Sequence, residues 1–255
     1  MFSSTFLFAL VSSLPILAAS SAMLMLNPLG AQEPFTTNPT TPSPFDDVKV
    51  PVTLGVMSRC PDAQLCEAVF DQVLKKVRDK VEFSLTFVGA VNASEPDFGV
   101  TCMHGPSECA GNVQQLCAQK YTPLETWWEF VMCQNYQSRD RIGNADVALK
   151  CARASGIDWE TSGVGRCAGL DGSGRAEEGV GMLRESVVRT RALGVTKSCT
   201  VIINGEQVCI HDGTWQKCEN GHAARDFIRQ INNEYQKLNG LALVDEEALT
   251  LDDLI

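Results

Sequence analysis

The segment from Cys102 to Cys117, CMHGPSECAGNVQQLC, constrains this chain more than any other stretch. It sets three cysteines, a histidine, an asparagine and two glycines within sixteen residues. Sulfurs so closely spaced read as staples rather than as isolated core thiols. The chain as a whole carries eleven cysteines in 255 residues. None forms a C-x-x-C pair, which sets aside ribbon and knuckle zinc sites. So many cysteines in a chain of this size point to disulfides formed in an oxidising compartment.

The remaining composition narrows the class. A hydrophobic share of 44% suffices for a true core, and the length fits one large domain or two small ones. A net charge of −10 argues against a nucleic-acid partner. The first charged residue is Glu33, and before it run Phe6 to Val11 and Leu14 to Ala19. Residues 1–31 therefore read as a secretory signal peptide, with cleavage near Ala22 or Ala31, or else as a signal anchor. Ser12, Ser13 and Pro15 break the apolar stretch below the roughly 20 residues of a spanning helix. No later segment is long and apolar enough, so no stable membrane span is expected after signal cleavage.

Residues 32–48 are rich in Pro and Thr and read as a linker; residues 239–255 hold five acids and no base and read as a flexible tail. Between them the order of elements is legible. Val50 to Met57 predicts a buried strand. Pro61 opens a helix at its first position and leaves Cys60 at the cap. Leu65, Val69, Val73 and Val77, with Cys66, Phe70 and Leu74, form its apolar face. Val81 to Val88 is a second strand, parallel to the first through a right-handed crossover. Residues from about 100 to 193 hold six cysteines and read as a helical insertion, with Trp127 and Trp128 packing it and a Gly-rich loop or hinge over Ser162 to Gly181. Cys199 to Ile203 and Glu206 to Ile210 flank Asn204-Gly205, a two-residue hairpin turn. A last helix runs from about Gly221 to Leu238. This is the order of an α/β, thioredoxin-like fold over residues 49–238, with an inserted disulfide-rich helical subdomain.

The Cys102–Cys117 segment resembles the signature of the gamma-interferon-inducible lysosomal thiol reductase (GILT) family. The match holds at Cys102, His104, Gly105, Glu108, Cys109, Asn112 and Cys117 with the spacing intact, and Met103 stands in place of the usual Gln. The resemblance implies a thioredoxin-like fold and reduction of protein disulfides in an acidic lumen. It implies disulfide-containing protein substrates, no cofactor, and a secreted or lysosomal/vacuolar location.

A reductase of this fold needs a thiolate at the end of the first strand, where the following helix lowers the thiol pKa. Cys60 holds that place. Asp62, in the first turn, opposes such a shift. Family enzymes carry a second cysteine three residues on; here that residue is Ala63. Three substitutes are open. Cys66 lies six residues along the helix, about 9 Å of rise, and also reads as a buried core thiol. Cys199 falls where thioredoxin-like folds set a cis-proline facing the active cysteine. It reads as a partner for Cys60, as a partner for Cys66, or as a structural thiol. An external small thiol is the third route. With no proline present, a trans peptide is expected before Cys199.

A simple two-residue hairpin sets Thr200 opposite Cys209 and Cys199 opposite Ile210, so Cys199 and Cys209 project from opposite faces. Cys209 and Cys218 then close a short loop. Cys102, Cys109, Cys117, Cys133, Cys151 and Cys167 are structural, with 15 possible connectivities. His104 reads as structural, and His211 and His222 stand isolated in the sequence. Asn92-Ala93-Ser94 is a glycosylation sequon. The alternative to an active reductase is a catalytically retired scaffold, serving as a disulfide-stabilised binding or structural protein.

Overall fold

The protein is described by a computed structural model over residues 47–241. The expected signal segment, most of the linker, and the tail from residue 242 onward lie outside those residues.

Strand β1 (Val50–Val56) buries Val50, Val52, Leu54 and Val56 and turns Pro51 outward. Helix α1 (Pro61–Val77) begins at its proline, with Cys60 in extended backbone as the N-cap. Its core face is Ala63, Cys66, Phe70, Val73, Leu74 and Val77. Leu65, expected on that face, is 57% exposed. Each residue turns the helix by about 100°, which carries Leu65 past the edge of a stripe centred on Cys66 and Phe70. Strand β2 (Val81–Phe87) pairs parallel with β1, from Val50 opposite Val81 to Val56 opposite Phe87.

A small hairpin follows, β3 (Ala90–Val91) with β4 (Val100–Thr101). Then come α2 (Pro106–Tyr121), α3 (Leu124–Tyr136), α4 (Ala145–Ala154), α5 (Val164–Ala168) and α6 (Glu177–Ala192). The stretch expected as a Gly-rich loop over 162–181 contains α5 and the start of α6. The last described elements are β5 (Thr200–Ile203), β6 (Glu206–Asp212), β7 (Thr214–Gln216) and α7 (Ala224–Leu238). The last helix starts at Ala224 rather than near Gly221.

The main sheet has the order β2-β1-β5-β6-β7, with β5 antiparallel to β1. A parallel β-α-β unit joined to an antiparallel hairpin and a terminal helix is a thioredoxin-like arrangement, interrupted here by helices between β2 and β5. Phe70 of α1 lies between Phe83 and Phe227, with ring centroids 5.9 and 5.0 Å away, so α1 and α7 share one face of the sheet. On the other face, Ser186 of α6 accepts from the Phe87 N–H at 2.9 Å through its hydroxyl oxygen.

Trp127 and Trp128 do more than pack the insertion. Their rings lie 5.7 and 5.1 Å from that of Phe83, and the Trp128 Nε1–H donates to Asp71 Oδ1 at 3.2 Å. They join α3 to the sheet and to α1. Three disulfides cross-link the helices and the turn before α2: Cys102–Cys109, Cys117–Cys167 and Cys133–Cys151. A fourth, Cys209–Cys218, closes the loop beyond β6.

The hairpin departs from the simple register. Asn204 and Gly205 form the turn with φ of 50° and 84°, and Ile203 faces Glu206. The register then shifts between Val201 and Ile202, so that Val201 faces Cys209 and Thr200 faces Ile210. Cys199 exchanges both backbone hydrogen bonds with His211, at 2.9 and 2.8 Å, rather than facing Ile210. The peptide between Ser198 and Cys199 is cis, not trans.

Candidate thiol site at the start of the first helix

Cys60 is the free cysteine of the chain; the other ten are paired. It caps α1, its N–H donates to the Met57 carbonyl at 2.9 Å, and its own carbonyl accepts from Gln64 N–H at 3.2 Å. The helix N-terminus therefore points at the residue that carries the thiol. Cys60 is only 5% exposed. Its sulfur lies 3.6 Å from the Ser198 carbonyl oxygen and 3.9 Å from Asp62 Oδ2.

Cys66 and Cys199 are bonded to each other, with Cα atoms 6.2 Å apart. Of the alternatives open for Cys199, the structure has the partnership with Cys66; Cys66 is accordingly no free core thiol. The bridge ties α1 to the residue that follows Ser198. Ser198 in turn accepts from Met57 N–H at 2.9 Å through its hydroxyl, so the same short segment supports the loop before Cys60.

The Cys102–Cys117 segment grips that loop from the other side. Asn112 Oδ1 accepts from Ser58 N–H at 3.0 Å, and the Ser58 hydroxyl donates to the Glu108 carbonyl at 3.2 Å. Gly111 permits the approach, since a Cβ there would lie 2.7 Å from Ser58 Oγ. His104 pairs with the buried Glu108 through its Nδ1, while its N–H donates to Glu108 Oε1 at 3.2 Å. The motif's acid, in the first turn of α2, and its histidine, just before the N-cap, thus satisfy each other.

Asp62 and His211 form a pair that sequence reading misses. Asp62 Oδ1 accepts from His211 Nδ1–H at 2.7 Å and from Gly213 N–H at 2.8 Å. Gly213, at φ +72°, makes the tight turn between β6 and β7 that aims its N–H at the carboxylate. Side chains of directly opposed residues in an antiparallel pair share a face. Because the bulge sets His211 opposite Cys199, both project toward α1. Without the shift His211 would point the other way. No local signal in the sequence marks that bulge.

A second buried acid lies farther along α1. Glu67 accepts from Asn135 Nδ2 at 2.7 Å, and burial pushes its carboxyl up from 4.5 to about 7, with the Asn135 bond opposing. Asn92 is exposed just after β3, where its Nδ2 donates to Thr101 Oγ1 at 3.0 Å.

The family model described as gamma interferon inducible lysosomal thiol reductase matches residues 51–155. GILT-like protein 1 of Drosophila melanogaster is 28% identical over 179 residues, covering 63% of this chain and 68% of that protein. Among solved structures, MdbA, a thiol-disulfide oxidoreductase from Corynebacterium diphtheriae, has a TM-score of 0.49 at 14% identity, covering 73% of this chain and 84% of its own. BdbD from Bacillus subtilis has a TM-score of 0.48 at 14% identity, covering 75% and 90%. The signature segment is seated against the loop before Cys60, and from β1 through α4 the chain is similar to the gamma interferon inducible lysosomal thiol reductase family.

Proposed function

We propose that this protein is a thiol-disulfide oxidoreductase that reduces protein disulfides through Cys60. The observation that carries the reading is a free sulfur at the N-terminal end of α1, beside the Ser198 carbonyl and the Asp62 carboxylate. The Cys60 thiolate attacks one sulfur of a substrate disulfide, R–S–S–R′. A Cys60–S–S–R bond forms, the substrate S–S bond breaks, and R′ leaves as a thiolate. Ala63 at the second-cysteine position and the Cys66–Cys199 bond favour resolution by an external small thiol. One thiol displaces Cys60 as thiolate and carries R in a mixed disulfide; a second releases R–SH and leaves the oxidised small disulfide. Five disulfides and the similarity to that family support a secreted or lysosomal lumen as the setting.

The low exposure of Cys60 favours a second reading, a retired scaffold that binds without turning over. One experiment separates the two. The full chain is incubated with a disulfide-containing peptide, quenched in acid, and mapped by mass spectrometry. An adduct on Cys60, absent from Cys60→Ser, with reduction dependent on added small thiol, supports the reductase. Equal reduction by Cys60→Ser and the parent overturns the assignment to Cys60, and no adduct with no reduction favours the scaffold.

A further inference from the structure

The Asp62–His211 pair has no part in the exchange as written above, yet it lies against the reacting sulfur. Asp62 Oδ1 is held by two donors, His211 Nδ1–H at 2.7 Å and Gly213 N–H at 2.8 Å. Its other oxygen, Oδ2, is left facing Cys60 Sγ at 3.9 Å. Both side chains are largely shielded from water. A surface acid with nothing to do would be free to rotate; this one is fixed from β6 and from the β6–β7 turn. Trp215 packs against His211 in a T-shaped arrangement, with centroids 4.8 Å apart.

We propose that Asp62 is the proton carrier of the exchange reaction and that His211 is the positioning residue that holds it there. This rests on the reading of Cys60 as the nucleophile. Asp62 Oδ2 accepts the proton of the Cys60 thiol, leaving a thiolate and a neutral carboxyl. The thiolate attacks R–S–S–R′; the Cys60–S–S–R bond forms, and the electron pair of the broken bond leaves on R′–S⁻. Asp62 returns its proton to that sulfur, giving R′–SH and restoring the carboxylate. No oxidant or cofactor enters. The assignment also accounts for an acid next to a thiol whose ionisation it would otherwise oppose. What it gives up in stabilising the thiolate it returns by protonating the leaving group.

The charged neighbours are few and otherwise engaged. On the β6 side, Asp212 is paired with Lys197 at 2.7 Å. His222 stacks on Trp215, with centroids 5.3 Å apart. Arg59, next to Cys60, directs its guanidinium to the carbonyls of Arg139 and Asp140. Among the described residues, Asp62 is thus the titratable side chain that lies against Cys60 Sγ, with His211 bonded to its other oxygen.

The test uses leaving groups of different basicity. An alkyl disulfide expels a basic thiolate that needs a proton, whereas an aromatic disulfide expels a stable thiolate that does not. General acid catalysis contributes about 10²–10⁴-fold where the leaving group needs it. Asp62→Asn, in the full chain, should slow reduction of an alkyl disulfide, which needs the proton both taken and returned, about 100-fold more than that of the aromatic one, which needs it only taken. Alkylation of Cys60 by iodoacetamide, which needs the thiolate but no returned proton, should slow only as much as the aromatic reaction does. His211→Phe should show the same split at about tenfold. His211→Asn, whose side-chain amide can replace the Nδ1–H donor, should recover most of the alkyl rate. Equal losses on both substrates, or no loss on either, overturn the proton role of Asp62. Failure of the Cys60 reading is distinct: Cys60→Ser would then reduce both substrates as the parent does. If Asp62→Asn does not fold, the His211 pair of variants decides alone, and equal rates for Phe and Asn overturn the proposal.

Discussion

Asn112 Oδ1 accepts a hydrogen bond at 3.0 Å from the backbone N–H of Ser58, two residues before Cys60. This bond links the middle of the signature segment to the loop that presents the free thiol. The segment contributes no sulfur to the site, since Cys102 is bonded to Cys109 and Cys117 to Cys167. Its contacts hold the loop that presents the free thiol.

Removing that acceptor should be costly. Ser58 is 1% exposed, so in Asn112→Ala its N–H is left buried without this partner. An orphaned buried donor costs about 1–3 kcal/mol. Calorimetry should show a Tm lower by roughly 2–4 °C for each kcal/mol in a protein of this size. An unchanged Tm would show that the bond does not hold the loop.

Crowding the same contact should act from the other direction. A Cβ at Gly111 would lie 2.7 Å from Ser58 Oγ and 2.7 Å from Ile142 Cγ2. Gly111→Ala should therefore cost about 1–3 kcal/mol, as overpacking of an interior does. Because the strain falls on Ser58, the rate of Cys60 alkylation should change as well. A variant that loses stability with an unaltered alkylation rate would disconnect the segment from the thiol.

The bond between Cys66 and Cys199 makes a prediction about additivity. Cys66→Ser and Cys199→Ser should each destabilise by about 2–5 kcal/mol. The double variant should cost no more than either single change, because both remove one and the same bond. Urea denaturation of the three variants measures this, and additive losses would mean that the two sulfurs are not joined. Peptide mapping of the unreduced parent should find Cys60 as the alkylated cysteine.

Glu67 gives the protein a pH dependence of defined sign. Burial raises its carboxyl from 4.5 to about 7, so the native state binds this proton more tightly than the unfolded chain does. The contribution is complete below pH 4.5 and is lost as pH rises through about 7. Glu67 Oε1 is buried without a hydrogen-bond partner, which adds to the penalty on the charged carboxylate. Glu67→Gln stays neutral at every pH. Its urea midpoint relative to the parent should therefore rise between pH 4.5 and 7.5, and a constant difference over that range would contradict the assignment.

The sequence made the order of elements readable because their signals are local. Alternating burial in β1, Pro61 at a helix start and Asn204-Gly205 at a turn each act over a few residues. The position of Cys60 at the cap of α1 was legible for the same reason. Leu65 shows the limit of such reading. Periodicity marks an apolar row, but only the neighbouring elements decide where its edge falls.

The partnerships around the thiol were not legible, and the bulge in β6 explains why. One extra residue near Val208 reverses which side chains face α1 beyond it, and it leaves no mark in composition or spacing. It brings His211 opposite Cys199, and both reach α1, His211 at Asp62 and Cys199 at Cys66. The residue sequence by itself determined an oxidised, cross-linked α/β chain with a free-standing thiol candidate at Cys60, since cysteine number, caps and turns are properties of short segments. Only the tertiary structure decided that Cys199 is bonded to Cys66, that Asn112 steadies the Cys60 loop, and that Asp62 and His211 meet beside the sulfur. These contacts join residues from 54 to 149 positions apart, and their geometry depends on register and packing that no short segment encodes.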